Sequence, residues 1–307
     1  MSQLVLRLKA FGNSELAWRF RNSPPVIFAA VALIALVFCA AAASLIAPHN
    51  PFDPATLNIM DARLPPAWID GGSSTYLLGT DEQGRDILST IFYGMRVSIL
   101  VGIAAVAFSM TIGVALGLIA GYLGGWVDTV IMRLGDIQLS FPTIMIAFFI
   151  DGVAKIVMPI GMREEMRFYV VILAIGVADW VQFARTVRAA TMIERRKDYV
   201  AAARISEVGN VRILLAHILP NTIGPVLVLA TLGLGVAILT EAILSFLGLG
   251  MPPSQPSLGT LIRAGNDLLL SGEWWISLFP GAALVLLVLA VNIVGDWLRD
   301  VLNPRLR

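Results

Sequence analysis

Val97-Ser-Ile-Leu-Val-Gly-Ile-Ala-Ala-Val-Ala-Phe-Ser-Met-Thr-Ile-Gly-Val-Ala-Leu-Gly-Leu-Ile-Ala-Gly-Tyr122 contains no charged side chain from end to end. A helix needs about 20 mostly apolar residues to cross a bilayer. The bilayer core offers no water to backbone N–H and C=O groups, so such a segment must satisfy them within a helix. Working outward, further apolar stretches of similar length run from Val26 to Ile46, Trp126 to Ile150, Phe168 to Val187, Thr222 to Phe246 and Ile276 to Leu298. Arg133 and Asp136 interrupt the third span in chain order, and Asp179 interrupts the fourth. The 307 residues are 57% hydrophobic and 14% charged, against about 25% charged in soluble domains. The expected fold class is therefore an all-α polytopic membrane protein with six transmembrane helices.

Charge sets the orientation, because Lys and Arg concentrate on the cytoplasmic side. Arg7, Lys9, Arg19 and Arg21 precede the first span, opposed only by Glu15. The connection between the fourth and fifth spans carries Arg188, Arg195, Arg196, Lys197, Arg204 and Arg212. Arg299, Arg305 and Arg307 follow the last span. The connection after the first span is acidic, with Asp53, Asp61, Asp70, Asp81, Glu82 and Asp86 against Arg63 and Arg85. Both termini are thus expected in the cytoplasm. A cleavable signal peptide is the rival reading of the first span. Its apolar run is long for that role, and its loss would leave an odd number of spans.

The chemistry of the chain is expected to be passage, not reaction. There is no GxxxxGK[ST] phosphate loop and no GxSxG nucleophile elbow. Cys39 is the sole cysteine, and His49 and His217 lie far apart, so no metal or catalytic site is expected. A net charge of +1 gives no electrostatic case for nucleic acid. Gly113, Gly117 and Gly121 recur every four residues along one helix face. Small residues in that pattern let membrane helices approach closely.

The segment Tyr199-Val-Ala-Ala-Ala-Arg-Ile-Ser-Glu-Val-Gly-Asn-Val-Arg-Ile-Leu-Leu-Ala-His-Ile-Leu-Pro220-Asn221 is too polar to span and too apolar for a plain loop. Ala201, Ala202 and Ala203 favour a helix, and Pro220 is expected to end the stretch. The reading is a short helix, a turn and a second helix, displayed either to a partner or to lipid headgroups. This segment resembles the EAA loop of ABC-importer permeases, in which E-A-A is followed after three residues by Gly and later by I-x-L-P. Ala202, Ala203 and Leu219-Pro220 match it. Ala201 stands at the Glu position, Glu207 at the Gly position and His217 at the Ile position.

The resemblance continues along the chain. Leu78-Gly-Thr-Asp-Glu-Gln-Gly-Arg-Asp86 looks like the GTDxxGRD motif of the dipeptide/oligopeptide/nickel permease family. Gly121-Tyr-Leu-Gly-Gly-Trp-Val-Asp128, Ser140-Phe-Pro142, Ser245-Phe-Leu-Gly-Leu-Gly-Met-Pro-Pro253 and Asn303-Pro-Arg-Leu-Arg307 follow in the family's order. Leu64-Pro-Pro-Ala-Trp68 with Gly71-Gly72 looks most like its dipeptide branch. The resemblance implies a type I ABC-importer permease fold in a bacterial inner membrane. It implies a homologous second permease, two cytoplasmic ATPase subunits that bind ATP and Mg, and a periplasmic or lipid-anchored substrate-binding protein. No cofactor is expected in this chain itself.

The expected organisation is a cytoplasmic segment 1–25, a first helix with outer loop 26–90, and a permease core 91–307 with its coupling loop at about 188–221. The coupling residues implied by the resemblance are Tyr199, Ala201, Ala202, Ala203, Arg204, Glu207, Gly209, Leu219 and Pro220. Asp179, Ser140 and Glu241 are candidates for the translocation path, since intramembrane charge is expensive and usually functional. Asp81, Arg85 and Asp86 are candidates for docking a binding protein, or else for capping the following helix. Arg133 and Asp136 are placed to pair at i,i+3. The expected substrates are dipeptides or oligopeptides, with nickel chelates, glutathione or opines as alternatives. An ion-driven secondary transporter is the rival class.

Overall fold

The computed structural model describes residues 15–53 and 57–302. Arg7, Lys9 and the Asn303–Arg307 motif lie outside the described residues. A short helix, Glu15–Arg21, leads into α1, Pro24–Ala41. Pro24 and Pro25 open α1, where a missing N–H costs nothing and the fixed φ suits the helix. Phe28, Ile34 and Phe38 of α1 stay exposed, the outward apolar surface that lipid requires.

Helix α2 runs over Ile87–Leu123 and begins well before Val97. Its start is set by a cap rather than by hydropathy. The Asp86 carboxylate accepts from Ser89 N at 2.9 Å, satisfying a free donor of the first turn. Its end is set by Gly124 and Gly125, whose φ values of +67° and +55° reverse the chain.

The third expected span is not one straight helix. It is α3, Gly125–Leu139, and α4, Thr143–Val157, bent by 95° at Ser140-Phe-Pro142. Pro142 has no N–H to carry the ladder across, so the chain restarts at Thr143. Among the described residues, five helices are each long and apolar enough to span, and the bent α3–α4 pair, taken as one span, makes six. Arg133 does not pair with Asp136; Arg185, on the helix Arg163–Glu194, takes that carboxylate at 2.7 Å.

Helix α5, Arg163–Glu194, packs along α2. The glycine stripe lies in this seam. A Cβ at Gly113 would sit 2.6 Å from the Trp180 carbonyl oxygen, at Gly117 2.6 Å from that of Ala184, and at Gly121 2.7 Å from Thr191 Cβ. Backbone meets backbone there, and dispersion between closely packed atoms substitutes for the hydrophobic force that lipid removes.

The cytoplasmic helix α6 spans Asp198–Ile205. Helix α7, Leu219–Phe246, is preceded without a break by Asn210–Arg212 and a π-helical stretch, Ile213–Ile218. On the outer side α8, Leu258–Asn266, leads back to α9, Trp275–Leu302. Met95, Ile238, Leu258 and Leu287 join α2, α7, α8 and α9 in one core. Val101, Ala105, Val171 and Ile175 continue it between α2 and α5.

Gly117→Val forces Cβ and its methyls into the α5 backbone. It should destabilise the protein by about 1–3 kcal/mol, as overpacking does. Thermal unfolding in detergent measures this, alongside the control Gly152→Ala, where an added Cβ meets nothing within 4 Å; an unchanged midpoint for Gly117→Val would refute the seam.

Candidate functional site

The cytoplasmic end of α5 is tied to α2 before the coupling segment begins. Arg195 Nη1 donates to the carbonyls of Gly121 and Tyr122 at 3.0 and 2.9 Å, capping the C-terminus of α2. Arg188 forks onto Asp128, with Nη2 to Oδ2 at 2.5 Å. Such bidentate, charge-assisted pairs fix orientation as well as distance.

On α6, Ala201 and Ala202 are exposed while Ala203 is 9% exposed and Val200 fully buried. The buried side joins Leu118, Phe183, Val187, Ile213 and Ile218, with Leu219 packed against them. Arg204 lies over the Tyr122 ring at 5.3 Å, and Tyr122 Oη donates to Asn210 Oδ1 at 2.7 Å. Tyr199 Oη donates to Glu194 Oε2 at 2.5 Å, and Asn221 Nδ2 donates to Tyr199 Oη at 3.3 Å. Burial first, and then the Glu194 carboxylate it faces, push the Tyr199 phenol up to about 12. It therefore stays protonated and donating at any physiological pH.

The turn after α6 explains the departure at Glu207. Val208 N bonds to Ala203 O at 3.0 Å and Glu207 N to Arg204 O at 3.0 Å. These are the two bonds of a Schellman ending, whose C′ residue must be left-handed and is usually Gly. Glu207 holds that place with φ of +55°. Gly209, by contrast, is extended, and an added Cβ there meets nothing within 4 Å. Ala201 replaces a Glu on an exposed face, so the departure changes surface charge and leaves the packing intact. Pro220 does not end the stretch. It sits in the first turn of α7, directly after the π-helical residues, whose widened i→i+5 turn absorbs the missing N–H.

The three path candidates fall in different places. Asp179 is half-buried on α5 and forms no hydrogen bond or ion pair among the described residues. Ser140 is exposed at the α3–α4 bend and donates to Asp136 O at 3.0 Å. Glu241 is fully buried, 0% exposed. Its carboxylate accepts from Ser98 Oγ at 2.8 Å and Ser245 Oγ at 2.6 Å. Those hydroxyls in turn accept from Leu258 N and Met251 N, so Glu241 fastens α2, α7 and the outer loop together.

Asp81, Arg85 and Asp86 are 4%, 7% and 2% exposed and offer no docking surface. Asp81 accepts from Gln83 N, Arg85 N and Arg85 Nε at 2.8, 2.9 and 2.6 Å. Their work is to close the loop that starts α2.

Sequence reasoning missed a second outer fastening. Asp151, in the middle of α4, pairs with Arg167 of α5 and with Lys155 Nζ at 2.7 Å. Arg167 also donates to the carbonyls of Gly248 and Gly250 at 3.0 and 2.9 Å. The signal was available, since Asp151 adjoins an apolar run where charge needs a reason. Beside this fastening lies an open outer cavity of about 470 Å³, walled by segment 82–85, α4, α5, the loop after α7, and α8. No local pattern in the sequence announces it.

Among the described residues, long apolar helices, an acidic loop before α2 and a short helix–turn–helix fastened to α2 and α5 frame the site. Residues 113–307 match the family described as binding-protein-dependent transport system inner membrane component, and the chain belongs to it. It is a multi-pass permease of the bacterial inner membrane, of the ABC-importer class. It is 41% identical over 291 residues to the dipeptide transport system permease protein DppC of Escherichia coli K12, covering 94% of this chain and 91% of that one. The protein of the same name from Haemophilus influenzae is 40% identical over 279 residues, 90% and 91% of the two chains. The di/tripeptide transport system permease protein DppC of Pseudomonas aeruginosa is 38% identical over 276 residues, 90% and 86%.

Glu207→Gly removes the left-handed strain at the Schellman turn. It should raise stability by about 1 kcal/mol, read as a higher thermal midpoint in detergent; a lower midpoint would contradict the strained-turn account.

Proposed function

We propose that this chain is one of two permease subunits through which an ATP-driven importer moves dipeptides and short oligopeptides inward. The observation that carries the substrate class is about two-fifths identity over most of the chain to permeases named for dipeptide transport. The ATP-driven half of the reading is supported by the exposed face of α6, fastened to the helices behind it.

In this mechanism α6 sits against a cytoplasmic ATPase partner that binds ATP and Mg. The buried side of α6 packs on α2 and α5. Tyr199, Glu194 and Asn221 link it to α5 and α7, and Arg195 links α5 to α2. A push on α6 thus moves these helices as a body, and the nucleotide state of the ATPases selects between inward-open and outward-open arrangements. A second, homologous permease completes the passage, and a binding protein outside supplies substrate. Asp179, half-buried and without an internal partner, is the side chain on α5 best placed to meet a peptide ammonium along the path.

Ala202→Glu puts an unpaired charge on the exposed face of α6 without touching its core. Uptake of labelled L-alanyl-L-alanine by ATP-loaded vesicles should fall more than about tenfold, at unchanged membrane abundance. Unchanged uptake, or wild-type uptake that persists without ATP on an ion gradient, would reject the reading. Asp179→Asn should lower uptake several-fold in the same assay, and wild-type kinetics would remove Asp179 from the path.

A further inference from the structure

The outer cavity carries charges that the fold does not use. Its volume of about 470 Å³ falls in the range of small-molecule sites. One wall is rigid, because Arg167 holds the carbonyls of Gly248 and Gly250 while pairing with Asp151. Gly248, at φ of +83°, leaves its open side to the guanidinium of Arg263, which lies where a Cβ would be. That guanidinium lines the cavity, is exposed, and forms no hydrogen bond or ion pair among the described residues.

Glu82, Glu164 and Asp267 line the same cavity and are also exposed, and their carboxylates have no partner among the described residues. The other wall charges are occupied: Arg85 by Asp81, Lys155 and Arg167 by Asp151, and Arg163 by the carbonyls of Met158 and Lys155. Between the unpaired groups the lining is largely apolar, with Met158, Val170, Met251 and Leu261 among it. One free guanidinium, free carboxylates and an apolar floor match a short zwitterion with an apolar body.

We propose that this cavity is a receiving site for the termini of a short peptide on the outer side of the permease. Arg263 takes the α-carboxylate, whose two oxygens fit the guanidinium fork. The carboxylates of Glu82, Glu164 and Asp267 supply the negative side that takes the α-ammonium, and the methionine and leucine side chains hold the peptide's body. The site rests on the peptide-permease reading above and adds a place where substrate waits before the membrane path. Neither terminus needs a residue from the substrate's side chains, so the site is tolerant of sequence and strict about free ends.

The test is equilibrium binding of labelled L-alanyl-L-alanine to the purified full chain in nanodiscs, with no binding protein present. Arg263→Gln should weaken binding on the order of tenfold. The C-terminal amide of the same peptide should bind the wild-type chain with a similar loss, and combining variant and amide should add nothing further. Asp267→Asn should reduce the penalty for N-acetylation. Neither side chain has a hydrogen bond or ion pair among the described residues, so neither change breaks one. Wild-type affinity in Arg263→Gln, or an amide that binds as tightly as the free acid, overturns the site. Uptake by cells carrying the whole importer separates the two levels. Uptake intact with no charge-dependent binding here removes the site alone, and a wild-type importer that takes up no dipeptide removes the peptide reading and the site together.

Discussion

Close approach of α2 and α5 is the constraint on which the rest of the molecule depends. Lipid tails are as apolar as leucine, so burying more leucine gives these helices little reason to associate. Removing side chains does. With Gly113, Gly117 and Gly121 on one helix and Ala184 opposite, the backbones themselves form the contact. Once that seam is fixed, its two ends become platforms. The cytoplasmic end holds Arg195 and Tyr122, to which the coupling segment is tied. The outer half holds Ser98, to which Glu241 and the loop after α7 are tied.

The charged side chains divide into two groups by what they touch. Asp81, Asp86, Asp151 and Glu241 are buried and satisfied by named hydroxyls, amides and basic groups. Unpaired buried charge is costly, so these groups hold only with their partners in place. Their role is to lock outer loops onto helix ends. Asp179, Glu82, Glu164, Arg263 and Asp267 are the other group, accessible and unpartnered, and these are the ones available to something that passes.

Much of the architecture was legible before the structure. Apolar length located the spans, and Lys and Arg placement gave the sides, because both follow from transfer free energy alone. The bend at Ser140-Phe-Pro142 was not read, although Pro142 marks it, since an apolar run continues straight through it. Helix α2 was begun too late because hydropathy reports immersion in lipid, whereas the helix begins at the Asp86 cap. Pro220 was read as a stop, but a π-helical turn carries the helix past it. Glu207 was recognised as standing at a glycine position; only the backbone shows why glycine is usual there. Glu241 was read as a path candidate, and Asp81, Arg85 and Asp86 as docking or capping candidates, because charge is conspicuous in sequence and its partners, up to 143 residues away for Glu241 and Ser98, are not. The outer cavity has walls from five separate segments, and no local pattern announces that.

The Glu241 junction has a consequence for how the chain is made. Ser98 emerges from the ribosome long before Glu241, and it is the α2 hydroxyl bonded to that carboxylate. Until α7 has entered the membrane, the outer half of α2 lacks its anchor, and until it docks, Glu241 must rest in lipid or at the water boundary at a cost of about 2–3 kcal/mol. Insertion and assembly are therefore separate events for this protein. The seam between α2 and α5 can form first, and the carboxylate then draws the late half of the chain onto it, so that a chain interrupted before α7 would keep the seam but leave the outer half of α2 without the Glu241 anchor.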